Sequence, residues 1–249
     1  MTRVAVCLPT YNEVENVSAM LDAILAVFDE SGVDGRVLVI DDSSPDGTAE
    51  IVDERSRDEP RVGLLRRAQK DGLGRAYRDG FRHVLDDGAE VVVQMDCDFS
   101  HDPAVIPSLV AALDDADFAL GSRYVRGGGV AGWPLLRRAI SKGGCLYART
   151  VLRIPVHDLT GGFKAFRSEV LEYLLGRSIE ARGYGFQIQM TYEAIQAGYR
   201  VREIPITFRD RRVGQSKMSR RIVVEALIVV LQLRFEDLRG RWRERRQTA

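Results

Sequence analysis

Residues 90–98 read Glu-Val-Val-Val-Gln-Met-Asp-Cys-Asp. Three consecutive valines, a glycine just upstream and two acids at the close describe a short strand buried on both faces, of the kind found in parallel sheets covered by helices. The same pattern recurs outward in both directions. Residues 4–8, 36–40, 62–65 and 118–120 read as further strands. Helical spacing fills the gaps between them. Val14, Val17, Leu21, Ile24 and Phe28 form one apolar stripe, with Asn12 expected as N-cap and Glu15 in capping-box position. Thr48 is expected to cap a second helix. Leu73, Tyr77, Phe81 and Val84 mark a third, and Asp102-Pro103 opens a fourth that runs to Leu113. Strands alternating with helices predict an α/β fold, a mostly parallel sheet with helices on both faces.

Beyond residue 120 the pattern loosens. Residues 126–133 contain four glycines and read as a mobile loop. A helix is expected over 135–152, a turn-rich segment over 158–164, a helix over 185–197 and a strand over 201–208. The division expected is a catalytic domain over 1–216 and a C-terminal amphipathic, basic helix over 217–249. Residues 222–235 are the longest apolar stretch, broken by Glu225, Gln232 and Arg234. As helix this stretch covers about 21 Å at about 1.5 Å per residue, short of the roughly 30 Å of a bilayer core. The N-terminus reads directly into a strand, with no leader pattern.

The chain has 249 residues, 36 basic and 36 acidic, so the formal net charge is zero. That balance argues against a nucleic-acid binder. Three well-separated cysteines, Cys7, Cys97 and Cys145, form neither a disulfide framework nor a zinc cluster and fit a reducing cytosol.

In a sheet of this kind ligands bind beyond the carboxyl ends of the strands. Three polar clusters stand there: Pro9-Thr10-Tyr11-Asn12-Glu13, Asp41-Asp42 and Asp96-Cys97-Asp98. Two carboxylates one residue apart suit a hard divalent cation, Mg²⁺ or Mn²⁺, that bridges to phosphate oxygens. A strand-ending turn with solvated acids would leave the same pair, but a second acidic strand end on the same rim favours a nucleotide-plus-metal site. Arg123, just after the fifth strand, is placed to face a diphosphate. Arg211 and Lys217 flank a glycine-containing basic loop that could close over phosphates. Arg137, Arg138 and Lys142 follow the glycine-rich loop. No P-loop, GxGxxG fingerprint or GxSxG elbow is present.

These motifs resemble family 2 glycosyltransferases. Residues 9–13, 41–48, 96–101 and 121–124 carry the broad likeness. Thr160-Gly161-Gly162-Phe163-Lys164-Ala165-Phe166, Ile204-Pro205-Ile206-Thr207-Phe208 and Gly214-Gln215-Ser216-Lys217 are similar to dolichol- or polyprenol-phosphate mannosyltransferases. The resemblance implies a GT-A fold, a GDP-mannose donor and a polyprenyl phosphate acceptor. Pro9, Tyr11, Glu13, Ile40 and Asp42 would hold the nucleoside, Asp96 and Cys97 would line the donor, and Asp98 would bind the metal. Ser100 stands where the family often has a metal-binding glutamine. Arg211 and Lys217 match donor-phosphate residues; Arg123, Arg137, Arg138 and Lys142 would hold phosphates on the acceptor side. Asp158 is the remaining candidate for a base or a sugar contact. The QxxRW motif of processive synthases is absent, which implies transfer of a single sugar. The location expected is cytoplasmic and peripheral, at the inner face of the cell membrane, and a membrane-protein partner is compatible with it. Rival readings are a UDP-glucose-dependent enzyme of the same kind, a hydroxyl-directed transferase and a non-catalytic nucleotide-binding subunit of a membrane complex.

Overall fold

A computed structural model describes residues 2–177, 179, 181, 183–210 and 220–247. The first half alternates as the periodicity predicts: β1 (Val4–Thr10), α1 (Val17–Ser31), β2 (Gly35–Asp41), α2 (Thr48–Asp58), β3 (Val62–Arg66), α3 (Leu73–Asp86), β4 (Val91–Gln94), α4 (Ile106–Ala111) and β5 (Phe118–Ser122). The second half adds β6 (Gly129–Val130), α5 (Leu135–Leu152), β7 (Lys164–Arg167), α6 (Ser168–Leu175), α7 (Gly183–Gln196), β8 (Val201–Pro205), β9 (Thr207–Phe208) and α8 (Arg220–Gln247). Seven strands form one sheet in the order β3-β2-β1-β4-β7-β5-β8. All neighbours are parallel except β7, which runs antiparallel between β4 and β5.

Successive side chains of a strand point to opposite faces, so the sheet carries two cores. Val4, Val6 and Leu8 of β1 pack with α1, α2 and α4, whereas Ala5 and Cys7 pack with α3, α6 and α7. The second face permits close approach at Gly80 of α3, where an added Cβ would stand 2.2 Å from Ile40 Cδ1. A third apolar cluster joins α5, α7 and α8 beside Leu120 of β5.

Several local expectations are corrected. Asn12 does not cap α1: its backbone is left-handed, with φ 59°, and the helix begins five residues later at Val17, after Asn16. The expected helix over 102–113 is split into a 3-10 turn, α4 and a second 3-10 turn. Asp102 does cap it, accepting the Ala104 N–H at 3.0 Å. Pro107, which lacks an N–H, sits where 3-10 gives way to α. The glycine-rich segment is more than a loop, because β6 pairs in parallel with β9 in a small second sheet. The expected strand over 201–208 is therefore two strands serving two sheets, with Ile206 between them. No described helix is long and apolar enough to cross a membrane.

Candidate active site

The carboxyl ends of β1, β2 and β4 meet at one rim, and each carries a non-glycine residue at positive φ: Asn12 at 59°, Ser43 at 57° and Phe99 at 59°. Such backbones cost of order 1–3 kcal/mol each and persist where the surroundings over-determine them. Here the surroundings are an acid-centred hydrogen-bond web. Asp41 accepts from Thr10 Oγ1 at 2.9 Å, from the Ser44 N–H at 2.9 Å and from Ser44 Oγ at 2.6 Å. The Asn12 N–H donates to Ser44 Oγ at 3.0 Å and the Glu13 N–H to Thr48 Oγ1 at 3.0 Å, which ties the end of β1 to the end of β2. Asp42 is buried and ion-paired with Arg67, which also reaches Asp79 at 2.9 Å. Burial raises the Asp42 carboxyl; the Arg67 contact only partly offsets that.

The end of β4 holds the two-acid segment. Asp96 is about one third exposed at its side chain, and the Tyr77 hydroxyl lies 3.4 Å from its Oδ1. Asp98 is buried, and its Oδ1 takes the Ser100 N–H at 3.1 Å. The Ser100 hydroxyl is buried and has no hydrogen-bond partner. His101 accepts the Asp96 N–H on Nδ1 at 3.1 Å and stacks on Phe163. Burial lowers its pKa, which fits a neutral ring accepting at that nitrogen. An orphaned hydroxyl beside a buried carboxylate is an all-oxygen donor set, and it fits a hard divalent cation. Cys97, between the two acids, does not compete for that role: burial pushes its thiol well above the ordinary range and keeps it protonated. Among the described residues no group of three His, Cys, Asp or Glu side chains forms a metal cluster. A cation here would thus complete its shell with phosphate and water, the usual habit of Mg²⁺.

Beyond β5, Arg123 points inward. Its Nε and Nη2 donate to the two oxygens of Asp158 at 2.6 Å each, and its backbone N–H adds a third bond at 2.9 Å. Nη2 also reaches Thr160 Oγ1 at 2.7 Å. The rings of Tyr124, Trp133 and Phe208 surround the guanidinium at 5.2, 5.5 and 5.4 Å. Burial alone would raise the Asp158 carboxyl, but Arg123 more than offsets it and the pKa is lowered. Glu203 of β8 supports the pair from behind by accepting the backbone N–H groups of His157 and Asp158. Gly128 lets the loop lie directly over β5, since a Cβ there would stand 2.4 Å from the Ser122 carbonyl oxygen.

The other expected residues fall into place unevenly. Tyr11 and Glu13 are half-buried at the rim, Pro9 at the end of β1. The Ile40 side chain is fully buried under α3 as part of the core, so only its backbone, one residue before the end of β2, is placed towards the rim. Arg123, expected to face a diphosphate, has Asp158 as its counter-ion. Arg137 lies 4.0 Å over the Trp133 ring and pairs with Asp210 at 3.1 Å. Arg138 and Lys142 are exposed on α5. Arg211 and Lys217 lie outside the described residues. Sequence reasoning missed Arg67 and Lys70; the latter places Nζ 3.5 Å over the Tyr11 ring. The signal available was positional: Arg66 closes β3 and Arg67 and Lys70 follow it, at the carboxyl end of the strand.

Between α5, α7 and α8 an open groove is lined mainly by apolar side chains, among them Ile140, Tyr147, Tyr184, Ile188 and Val230. Thr160 lines it too, and its hydroxyl accepts from Arg123 Nη2.

Comparison with known proteins agrees with this architecture. The chain is 44% identical over 243 residues to the undecaprenyl-phosphate mannosyltransferase of Micrococcus luteus, covering 96% of this chain and 98% of that one. It is 43% identical over 248 residues to the polyprenol monophosphomannose synthase of Mycolicibacterium smegmatis, covering 96% and 88%. Glucosyl-3-phosphoglycerate synthase from Mycobacterium tuberculosis, solved with Mn²⁺, UDP and glucosyl-3-phosphoglycerate, superposes with a TM-score of 0.64 at 20% identity over 94% of this chain and 80% of that one. The mannosyltransferase PcManGT from Pyrobaculum calidifontis, solved with GDP-Man and Mn²⁺, gives 0.59 at 21% identity over 86% and 58%. At those identities the solved structures speak for the fold, which is GT-A-like. The model of glycosyl transferase family 2 matches residues 5–175, the span that holds the acid-rich rim and the Arg123–Asp158 pair, and the chain belongs to that family.

Proposed function

We propose that this enzyme transfers mannose from GDP-mannose to a polyprenyl monophosphate, with inversion at the anomeric carbon, and releases GDP. The observation that carries this reading is the apolar groove lined in part by Thr160, whose hydroxyl is bound by the buried Arg123. A prenyl chain needs an apolar channel, and its phosphate needs cationic surroundings next to the sugar site. The names of the two curated relatives support the same acceptor.

In this reading the nucleoside lies over Tyr11, Glu13, Asp42 and Lys70, and Asp96 and Cys97 line the donor. Asp98 and Ser100 hold Mg²⁺ or Mn²⁺, which when bound neutralises charge growing on the leaving diphosphate. Arg211 and Lys217 are assigned to the donor phosphates on the sequence motif alone. Arg137, Arg138 and Lys142 attract the acceptor phosphate. A phosphate monoester has its second pKa near about 6, so the acceptor is already anionic at neutral pH and needs no general base. Asp158, held ionised by Arg123, is then a scaffold for that arginine and not a proton acceptor. The enzyme works at the inner face of the cell membrane, with its apolar α5 and α8 surfaces towards the lipid.

The test is incubation with radiolabelled GDP-mannose, Mg²⁺ and a short polyprenyl phosphate, followed by lipid extraction. Label is expected in the lipid phase. Parallel reactions with UDP-glucose and with unphosphorylated polyprenol are expected to give none. Preferred use of UDP-glucose would replace the donor assignment, and equal transfer to the free alcohol would overturn the acceptor assignment.

A further inference from the structure

Lys164 and Gln187 form a buried polar pair beneath the rim that no catalytic step above uses. Lys164 is fully buried in β7, and Gln187 of α7 is 3% exposed. Lys164 Nζ donates to the Gln187 backbone oxygen at 3.0 Å and to its Oε1 at 2.8 Å. An ammonium has no lone pair and can only donate, so Nζ must meet the amide oxygen, and this bond fixes which way round the amide lies. Nε2 must then face the other way. That way is the active site: a Cβ built on Gly162 would lie 3.7 Å from Gln187 Nε2, 3.7 Å from Asp96 Oδ2 and 3.5 Å from His101 Cε1. An amide donor and a carboxylate acceptor thus border one small space, kept open by a glycine.

We infer that Gln187 is a sugar-recognition residue of the donor site and that Lys164 is the positioning residue that sets its amide. The deciding point is polarity. A hydroxyl can donate to the Asp96 carboxylate and accept from the Gln187 amide at once. A phosphate oxygen would accept from the amide but would be repelled by the carboxylate. The space therefore selects a neutral hydroxyl of a sugar over the diphosphate. This deepens the glycosyl-transfer reading and rests on it. Burial pushes the Lys164 ammonium down to about 7; the neutral amine keeps two N–H donors, enough for both oxygens of Gln187, but gains a lone pair, so it is the ammonium that enforces the orientation.

The test compares a nucleotide sugar with its own nucleoside diphosphate. In the full-length protein, the Gln187 side-chain amide resonance, assigned by its loss in Gln187→Met, should shift on adding GDP-mannose and stay in place with GDP. By calorimetry, Gln187→Met and the isosteric Gln187→Glu should weaken GDP-mannose binding about tenfold or more, the cost of one lost hydrogen bond to a buried group, and leave GDP binding within about twofold. Lys164→Met should abolish the selective amide shift and reproduce the selective loss of affinity. The double variant Lys164→Met/Gln187→Ala should bind the sugar nucleotide no worse than Gln187→Ala, because both changes act through one donor. Lys164→Gln, which retains an N–H donor for Oε1, is the conservative variant: it should keep the selective amide shift, and if Lys164→Met fails to fold, a Lys164→Gln protein that loses GDP-mannose and GDP binding equally would contradict the positioning role. Equal losses for GDP-mannose and GDP, or an amide resonance that ignores the sugar, would overturn the assignment. Repeating the pair with UDP-glucose and UDP separates the two claims: a selective effect seen only there would reassign the donor and keep Gln187 as the sugar contact.

Discussion

Arg123 and Asp158, 35 residues apart in sequence, bind one another through two side-chain hydrogen bonds of 2.6 Å in a pocket that leaves them 5% and 0% exposed. A bidentate pair of this kind is geometrically specific, and its value lies in both partners being present. Removing one leaves the other charged and buried, which costs about 3–5 kcal/mol. Asp158→Asn is therefore expected to lower unfolding stability by that order in urea titration. The double variant Arg123→Met/Asp158→Asn should recover part of the loss, because no lone charge remains. A single variant as stable as the wild type would contradict the pairing.

Asp98→Asn should abolish donor turnover while circular dichroism stays native. Loss of one charged ligand to a divalent cation is expected to cost roughly 10²-fold or more in rate. Ser100→Ala should be milder, since it removes only the neutral hydroxyl that the protein itself leaves unpartnered. EDTA should silence the wild type and added Mg²⁺ or Mn²⁺ restore it; undiminished activity in EDTA would refute metal dependence.

Lys164 gives stability a defined pH dependence. Its pKa falls from 10.5 in the unfolded chain to about 7 in the fold, so between those values the unfolded state binds more protons and stability rises with pH. Below about 7 the full burial cost is present, and above about 10.5 it is gone. The wild type should accordingly gain stability relative to Lys164→Met as pH rises from 7 towards 10, in parallel urea titrations. Comparing the two proteins cancels the opposing effect of Cys7 and other groups that titrate in the same range. A difference that stays flat with pH would show that the amine does not change its charge there.

Vesicle co-sedimentation should report the lipid-facing surface. Leu135 and Leu136 at the start of α5 are 81% and 72% exposed, and Ile228 and Phe235 of α8 are 50% and 63% exposed. The chain beyond Phe235 carries Arg239, Arg241, Arg243, Arg245 and Arg246, each contributing about 1 kcal/mol near an anionic surface. Binding should rise with anionic lipid and fall with salt. Truncation before Gly240 should weaken the salt-sensitive part, and Leu135→Ser/Leu136→Ser the remainder, while turnover of a short water-soluble acceptor is retained. Binding indifferent to salt and to both changes would assign these surfaces to protein contacts.

Much of this molecule could be read one segment at a time. Runs such as 91–94 and the stripe from Val17 to Phe28 carry their own period, and period is a property of neighbouring residues. Parallel strands joined by helices then bring their carboxyl ends to one rim, so the sequence alone gathers the acids at 41, 42, 96 and 98. What lay beyond reach depended on residues far apart. β7 is four residues long, has no strand pattern of its own and runs against its neighbours; it is a strand because β4 and β5 leave a gap that it fills. Arg123 looked like a phosphate ligand because its partner is 35 residues away, and Gln187 carried no signal until Lys164, 23 residues earlier, lay against its amide. Charge and hydrogen-bonding capacity are written in the residues; which partner takes them up is decided by topology, because burial leaves each buried polar group only the neighbours that the fold brings within about 3 Å.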